Sequence, residues 1–174
     1  MSRSRILIVD DKDNIRSLLR RILEDSYEIA TAADAEHALA DVSGHLPDLV
    51  ISDMRMPGMD GLALLQAFKR QDPEVEVILV TAYGSVQKAV EAMKMGAYDY
   101  LTKPFEPDEV LLTVGRALER KQLRARARDL RFALGAADRY DRLLGASPAL
   151  RAAFGLLQRA ADSDATVLLS LIHI

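Results

Sequence analysis

Short apolar runs alternate with segments of helical periodicity through the first two-thirds of the chain. The runs are rich in β-branched residues, as buried strands are, and they lie at Arg5–Val9, Tyr27–Ala30, Leu49–Ile51, Val75–Val80 and Ala97–Leu101. Between them apolar residues recur three and four positions apart, and helix N-caps are expected at Asn14, Asp34 and Ser85. The pattern predicts five consecutive β-α units, and therefore an α/β fold whose parallel sheet is covered by helices on both faces.

The last predicted helix of this series begins at Pro107, and its apolar stripe continues beyond the usual length of a domain-closing helix. The stripe is surrounded by arginine and lysine and consists of Val110, Leu111, Val114, Leu118, Leu123 and Leu130. A narrow stripe on so long a helix is typical of helices that pair, which favours a homodimer. The alternative is an ordinary last helix with a frayed basic tail, because Gly115 and Gln122 interrupt the stripe.

A further pattern follows near the end of the chain. Ser147 and Pro148 are expected to open another helix, and Thr166–Leu169 reads as another strand. One helix and one strand cannot enclose a core, so they indicate only the edge of a second α/β domain. We therefore expect a first domain over residues 4–120, a helical linker over 121–141 and a domain fragment over 142–174.

The composition is that of a soluble globular protein. Of the 174 residues 49% are apolar, which suffices for a core, and no cysteine is present for a disulfide or a thiolate metal site. No apolar run is long enough for a signal peptide or a membrane span, so a cytoplasmic location is expected. The net charge of −3 indicates no particular partner, and the basic stretch from Arg116 to Arg142 is more typical of a solvated helix face than of a nucleic-acid site.

Polar side chains follow four of the five predicted strands. Asp10 and Asp11 come after the first strand, Asp53 ends the third, Thr81 ends the fourth and Lys103 follows the fifth. Because parallel strands end at the same edge of a sheet, these side chains are expected to converge. Neighbouring carboxylates repel one another, Mg²⁺ relieves that repulsion, and a lysine and a hydroxyl can hold phosphoryl oxygens. The set predicts phosphoryl transfer to a carboxylate.

The motifs around these residues resemble those of bacterial response-regulator receivers over roughly residues 4–120. They read Ile8-Val9-Asp10-Asp11, Asp53-Met54-Arg55-Met56-Pro57-Gly58-Met59-Asp60-Gly61, Thr81-Ala82 and Tyr100-Leu101-Thr102-Lys103-Pro104. The resemblance implies a flavodoxin-like (βα)5 doubly wound parallel sheet with strand order 2-1-3-4-5. It also implies a cis peptide bond between Lys103 and Pro104.

The same resemblance assigns roles to the strand-end residues. Asp53 would be the phosphoacceptor, taking its phosphoryl group from the phosphohistidine of a sensor histidine kinase. Mg²⁺ would be bound directly by Asp11 and Asp53, through water by Asp10, and by the backbone carbonyl of Arg55. Lys103 would pair with a phosphoryl oxygen.

Two further pairs of residues have roles that the resemblance implies. Thr81 and Tyr100 would form the switch pair, in which Thr81 turns toward the phosphoryl group and the ring of Tyr100 moves inward. Arg55 and Tyr83 occupy positions that control water access to the acyl phosphate. Bulky residues at both favour slower self-dephosphorylation than small ones would allow.

The end of the chain resembles a different domain. Leu144 through Ser170 is similar to the entry of the AAA+ ATPase domain in sigma-54-dependent activators of the NtrC-like class, where a strand leads into a Walker A loop. No Gly-x-x-x-x-Gly-Lys follows here, and the final Leu171-Ile172-His173-Ile174 is interpreted as an artificial ending. The resemblance implies a phosphoacceptor rather than an enzyme, truncated at the start of its ATPase domain, of which residues 142–174 would be the N-terminal edge. Contacts with sigma-54 RNA polymerase and DNA would belong to domains absent here.

Two other functions are compatible with parts of the sequence. A haloacid-dehalogenase-like phosphatase also uses a strand-end aspartate, and Asp11-Lys12-Asp13 offers an Asp-x-Asp, but this alternative leaves Asp53 unexplained. A pseudo-receiver would act purely as an interaction module. Such modules usually lack an acidic residue, the threonine or the lysine, and this chain has all of them.

Overall fold

The computed structural model describes residues 3–41, 46–82 and 86–139. Within these residues five strands alternate with five helices. The strands are β1 Arg5–Val9, β2 Glu28–Ala32, β3 Leu49–Asp53, β4 Glu76–Thr81 and β5 Asp99–Thr102. The helices are α1 Asp13–Leu23, α2 Ala35–Asp41, α3 Gly61–Gln71, α4 Val86–Lys94 and α5 Pro107–Arg139. The predicted alternation of strands and helices is confirmed.

The five strands form one parallel sheet in the order β2-β1-β3-β4-β5. This order places β1 and β3 side by side at the centre, with β4 next to β3. The predicted fold class and strand order are therefore confirmed. The peptide bond between Lys103 and Pro104 is cis, also as predicted.

Alternate residues of the strands face opposite sides of the sheet and build two cores. On one side Ile6 and Ile8 pack with apolar residues of α1 and α5, among them Leu19 and Val110. On the other side Leu7 and Val9 pack with residues that include Phe68 of α3. The central strands β3 and β4 are buried along their whole length and are therefore mostly apolar, while Asp53, Glu76 and Thr81 lie at their ends.

The boundaries of the elements differ from the prediction at a few positions. The residue before α1 is Lys12 and its side chain makes no capping hydrogen bond, so the predicted N-cap at Asn14 is wrong. Asp34 does cap α2, because its Oδ1 accepts the backbone N–H of His37 at 2.8 Å. The predicted cap at Ser85 lies outside the described residues.

Helix α5 runs from Pro107 to Arg139. The basic segment for which a frayed tail was the alternative is therefore helical as far as Arg139. The stripe predicted along it is buried at Val110, Val114 and Leu118 but exposed at Leu111, Leu123 and Leu130. The chain divides into two compact units, of which the first ends at Ala127, beyond the boundary expected at residue 120. The fragment expected over 142–174 lies outside the described residues.

Within the described ranges, none of the helices combines the length and the apolar character that crossing a membrane requires.

Candidate functional site

Three of the predicted residues meet at the carboxyl edge of the sheet. The Nζ of Lys103 lies 2.7 Å from Oδ2 of Asp10 and 2.6 Å from Oδ1 of Asp53. The two carboxylates belong to residues that are only 1% and 8% exposed. A single ammonium group therefore bridges two buried carboxylates that come from the ends of β1 and β3.

Asp53 is held on both sides of its carboxylate. Its Oδ1 accepts from Lys103, and its Oδ2 accepts the backbone N–H of Arg55 at 2.7 Å. The hydroxyl of Ser52 donates to the backbone carbonyl of Asp53 at 3.0 Å. The side chain of Asp53 is thus fixed at the end of β3 by the strand and by the loop that follows.

The loop between β3 and α3 passes close to Asp53. The N–H of Gly61 donates to the carbonyl of Met54 at 3.2 Å, and a Cβ added at Gly61 would overlap the carbonyl oxygen of Asp53. Gly58 has a φ of 78°, a conformation that glycine adopts without strain. Asp60 caps α3 by accepting the N–H of Ala63 at 2.8 Å. Both glycines let the loop turn tightly against Asp53.

Asp10 is positioned by the start of α1. Its Oδ1 accepts the backbone N–H of Lys12 at 2.9 Å, and its carbonyl accepts from Nη1 of Arg16 at 2.6 Å. The Nη2 of Arg16 also donates to Asp13 at 3.0 Å. Arg16 belongs to none of the motifs that the sequence shows. The only signal was its place one turn into a helix that follows the Asp10-Asp11 pair.

Lys103 is placed by the hydrogen bond that its backbone N–H donates to the carbonyl of Thr81 at 2.7 Å. Burial alone would lower the pKa of its ammonium group, but the hydrogen bonds that it donates to Asp10 and Asp53, with the charges of these carboxylates, outweigh burial and raise the pKa above its ordinary value. Lys103 is therefore charged at neutral pH.

The site carries more acidic than basic groups. One ammonium faces the two carboxylates of Asp10 and Asp53, and Asp11 stands next in the chain with an exposed side chain. Hard oxygen donors with an excess of negative charge fit the preference of Mg²⁺. In the part of the chain that the structure describes, however, no three acidic or histidine side chains stand close enough together to hold a metal ion. The predicted ligand set stays a prediction.

The remaining predicted residues lie at different depths around the site. Thr81 is buried, with 6% exposure, at the end of β4 beside β5. Tyr100 lies on β5 with 38% exposure and lines a shallow cavity of about 400 Å³ together with residues of α4. Arg55 is exposed, and Tyr83 lies outside the described residues, so the tuning role of this pair stays a prediction.

Comparison with known proteins matches more than half of the chain to a single protein family. Residues 6–115 match the family described as the response regulator receiver domain. The C4-dicarboxylate transport transcriptional regulatory protein DctD of Rhizobium meliloti is 37% identical over 166 residues, which make up 95% of this chain and 36% of that protein. The DNA-binding transcriptional regulator NtrC of Salmonella typhimurium is 36% identical over 171 residues, or 98% of this chain and 36% of that protein. The chain spans about a third of the length of these relatives.

Solved structures lead to the same family. NtrX from Brucella abortus, crystallised in complex with ADP, superposes with a TM-score of 0.71 and 38% identity, covering 92% of this chain and 34% of that one. The chemotaxis protein CheY4 of Vibrio cholerae has a TM-score of 0.64 and 34% identity, covering 67% of this chain and 99% of that one. By its matched residues, its sheet and its strand-end groups, the chain belongs to the response regulator receiver domain family and is similar to regulators of the NtrC, DctD and NtrX type.

Proposed function

We propose that this chain is the signal-receiving part of a two-component system, in which Asp53 accepts a phosphoryl group from a sensor histidine kinase. The observation that carries the proposal is the buried carboxylate of Asp53, bridged through Lys103 to Asp10 at the carboxyl edge of the sheet. An ion pair that served stability alone would not require two aspartates and one lysine from three separate strand ends.

The chemistry follows from the groups at this edge. An oxygen of Asp53 would attack phosphorus while the bond from phosphorus to the kinase histidine breaks, leaving an acyl phosphate on Asp53. The ammonium of Lys103, 2.6 Å from Oδ1 of Asp53, would stay close to the new phosphoryl oxygens and offset their charge. The phosphoryl group brings more negative charge into a site that already has an excess of it.

Mg²⁺ is the cofactor that the donor set suits best. Asp11 and Asp53 would bind the ion directly, Asp10 through water, and the carbonyl of Arg55 would complete the protein ligands. When bound, the ion would neutralise the charge that gathers on the transferred phosphoryl group.

The response to phosphorylation would start from Thr81 and Tyr100. The hydroxyl of Thr81 would donate to a phosphoryl oxygen from its buried position at the end of β4. The ring of Tyr100 would move inward from the shallow cavity beside α4, which it lines together with Val90 and Met93. The surface formed by α4 and β5 would change as a result, while the sheet stays in place.

The output of the signal would lie outside these residues. The relatives named above are transcriptional regulators, and we propose that this chain controls a sigma-54-dependent activator that contacts RNA polymerase and DNA through other domains. It would act in the cytoplasm as a homodimer formed through α5, where Leu123 and Leu130 are 56% and 64% exposed and stand seven residues apart.

Phosphorylation with acetyl phosphate in the presence of Mg²⁺ tests the proposal. The wild-type chain is expected to incorporate phosphate, and Asp53→Asn is expected to lose nearly all incorporation because the amide is not a nucleophile for this reaction. Asp60→Asn is the matched control, since asparagine replaces aspartate well as the N-cap of α3. Incorporation by Asp53→Asn at the level of Asp60→Asn would overturn the proposal.

A further inference from the structure

Two acidic residues stand at the amino edge of the sheet, opposite to the site of Asp53. Glu76 is the first residue of β4 and is 0% exposed, and Asp48 directly precedes β3. We call Asp48 and Glu76 the acidic socket. A fully buried carboxylate at a strand start is unfavourable unless cations and hydrogen-bond donors surround it.

Helix α5 supplies the donors for Glu76. The guanidinium of Arg120 contacts both carboxylate oxygens, with Nε at 2.9 Å from Oε1 and Nη2 in contact with Oε2. Arg124, one helical turn further on, places Nη1 at 3.5 Å from Oε1. The guanidinium of Arg120 also lies over the ring of Tyr98, 4.3 Å from its centroid. The hydrogen bond to Glu76 is the main reason that the pKa of Arg120 is raised.

The same turn of α5 supplies the partner of Asp48. The Nζ of Lys121 lies 2.9 Å from Oδ1 of Asp48, and Oδ2 of Asp48 accepts the backbone N–H of Arg5 at 3.0 Å. Asp48 therefore ties α5 to the start of β1, while Glu76 ties it to the start of β4. The three ion pairs of Arg120, Lys121 and Arg124 together fix the position of this part of α5 along the sheet edge and its rotation about its own axis.

We propose that the acidic socket anchors residues 120–124 of α5, the last part of this helix within the first compact unit, against the amino edge of the sheet. Residues 120–124 of the same chain occupy the acidic socket, because their positive charges complement its two carboxylates in three ion pairs. These residues belong to the first compact unit, which ends at Ala127. The anchor does not depend on phosphorylation of Asp53, so it extends the proposed function without resting on it.

Amide hydrogen exchange of the whole chain, followed by mass spectrometry, tests the anchor. In Glu76→Gln the lost charge and the new NH₂ donors facing Arg120 should weaken the contact. Exchange in peptides that cover residues 116–127 should then become faster, on the order of ten-fold, while the protection of β1 and β3 stays the same. Glu119→Gln makes the same chemical change on the exposed side of the same helix and should leave exchange unchanged.

Two outcomes would overturn the proposal. One is unchanged exchange of residues 116–127 in Glu76→Gln, and the other is an equal acceleration in Glu119→Gln. If circular dichroism shows that Glu76→Gln does not fold, the double variant Lys121→Gln, Arg124→Gln replaces it, because it leaves the buried carboxylate paired with Arg120. In that variant too, exchange must accelerate in residues 116–127 and not in the central strands.

Discussion

The ammonium of Lys103 stands between the carboxylates of Asp10 and Asp53, 2.7 and 2.6 Å from their oxygens. The two ion pairs share this one ammonium group, so its removal would leave two buried carboxylates facing each other. An unpaired buried charge lowers stability much more than a surface ion pair raises it. The lysine thus stabilises this edge of the sheet.

This arrangement predicts a dependence of stability on alkaline pH. Since the folded pKa of Lys103 lies above its ordinary value, its contribution to the free energy of unfolding is complete below the unfolded lysine pKa of about 10.4 and falls as the pH rises through the folded pKa. We expect Lys103→Gln to be less stable than wild type by about 3–5 kcal/mol at neutral pH. The difference should shrink above about pH 10, as measured by urea unfolding.

Lys12→Gln, which removes an exposed lysine near the site, controls for the loss of a positive charge. A difference between Lys103→Gln and wild type that stays constant from neutral to alkaline pH would contradict the role assigned to the Lys103 ammonium.

Much of the site could be predicted at the level of single residues. Asp10, Asp53 and Lys103 follow strands, and parallel strands bring their ends together, so the convergence of these groups could be inferred from position alone. The contact of Arg16 with the carbonyl of Asp10 could not, because it depends on the path of the loop that starts α1. The placement of the exposed Asp11 side chain likewise depends on the local backbone.

Among the elements, the β3–α3 loop packs most closely against Asp53. It leaves β3 at Asp53, turns at Gly58 and starts α3 at Gly61 under the cap of Asp60. A side chain at Gly61 would collide with the carbonyl of Asp53 and with Cα of Met54, which are both backbone atoms with little freedom to move. The start of α3 therefore requires glycine for steric reasons.

Substitution of two glycines by alanine tests this reading of the loop. Gly61→Ala is expected to lower the free energy of unfolding by about 1–3 kcal/mol, because the added methyl group overpacks the loop against Asp53. Gly115→Ala is the matched control within α5, where an added Cβ would meet no atom within 4 Å. It is expected to raise the free energy of unfolding by about 0.5–1 kcal/mol. Equal effects of the two substitutions in urea unfolding would contradict the steric explanation.

The elements themselves were well predicted, and their ends less so. β1, β3 and β4 could be predicted because strands covered on both faces are mostly apolar, whereas β2 and β5 are less buried and their ends differ from the prediction by one or two residues. The N-cap of α1 was misplaced at Asn14, since several polar residues precede that helix and the backbone begins it at Asp13 without a side-chain cap. Glu76 sits inside a predicted apolar run, and only the structure shows that Arg120 makes its burial possible.

For the whole molecule the main feature is that α5 serves first as the last helix of the receiver and then extends beyond it. Val110 and Val114 pack against the sheet, whereas Leu123 and Leu130 are exposed. The single stripe read from the sequence therefore consists of a buried part and an exposed part. Periodicity could predict the helix but not where its contacts with the sheet end, since that depends on the ion pairs of residues 120–124.

The exposed leucines of α5 lead to a prediction about association. The double variant Leu123→Glu, Leu130→Glu is expected to shift the chain from dimer to monomer in sedimentation equilibrium. Its free energy of unfolding as a monomer should stay close to that of wild type, because both side chains are already exposed. Leu18→Glu, at a leucine of α1 that is 37% exposed, is the control for adding a charge. A dimer that survives the double substitution would exclude pairing through these leucines.

The central claim is that Asp53 is the phosphoacceptor, and mapping of the phosphorylated residue tests it most directly. The chain would be treated with acetyl phosphate and Mg²⁺, the acyl phosphate trapped by reduction with borohydride, and the modified peptide sequenced by mass spectrometry. The structure predicts modification at Asp53, whose carboxylate is held by Lys103 and by the N–H of Arg55. Modification at Asp11 instead, or at neither residue, would contradict the account.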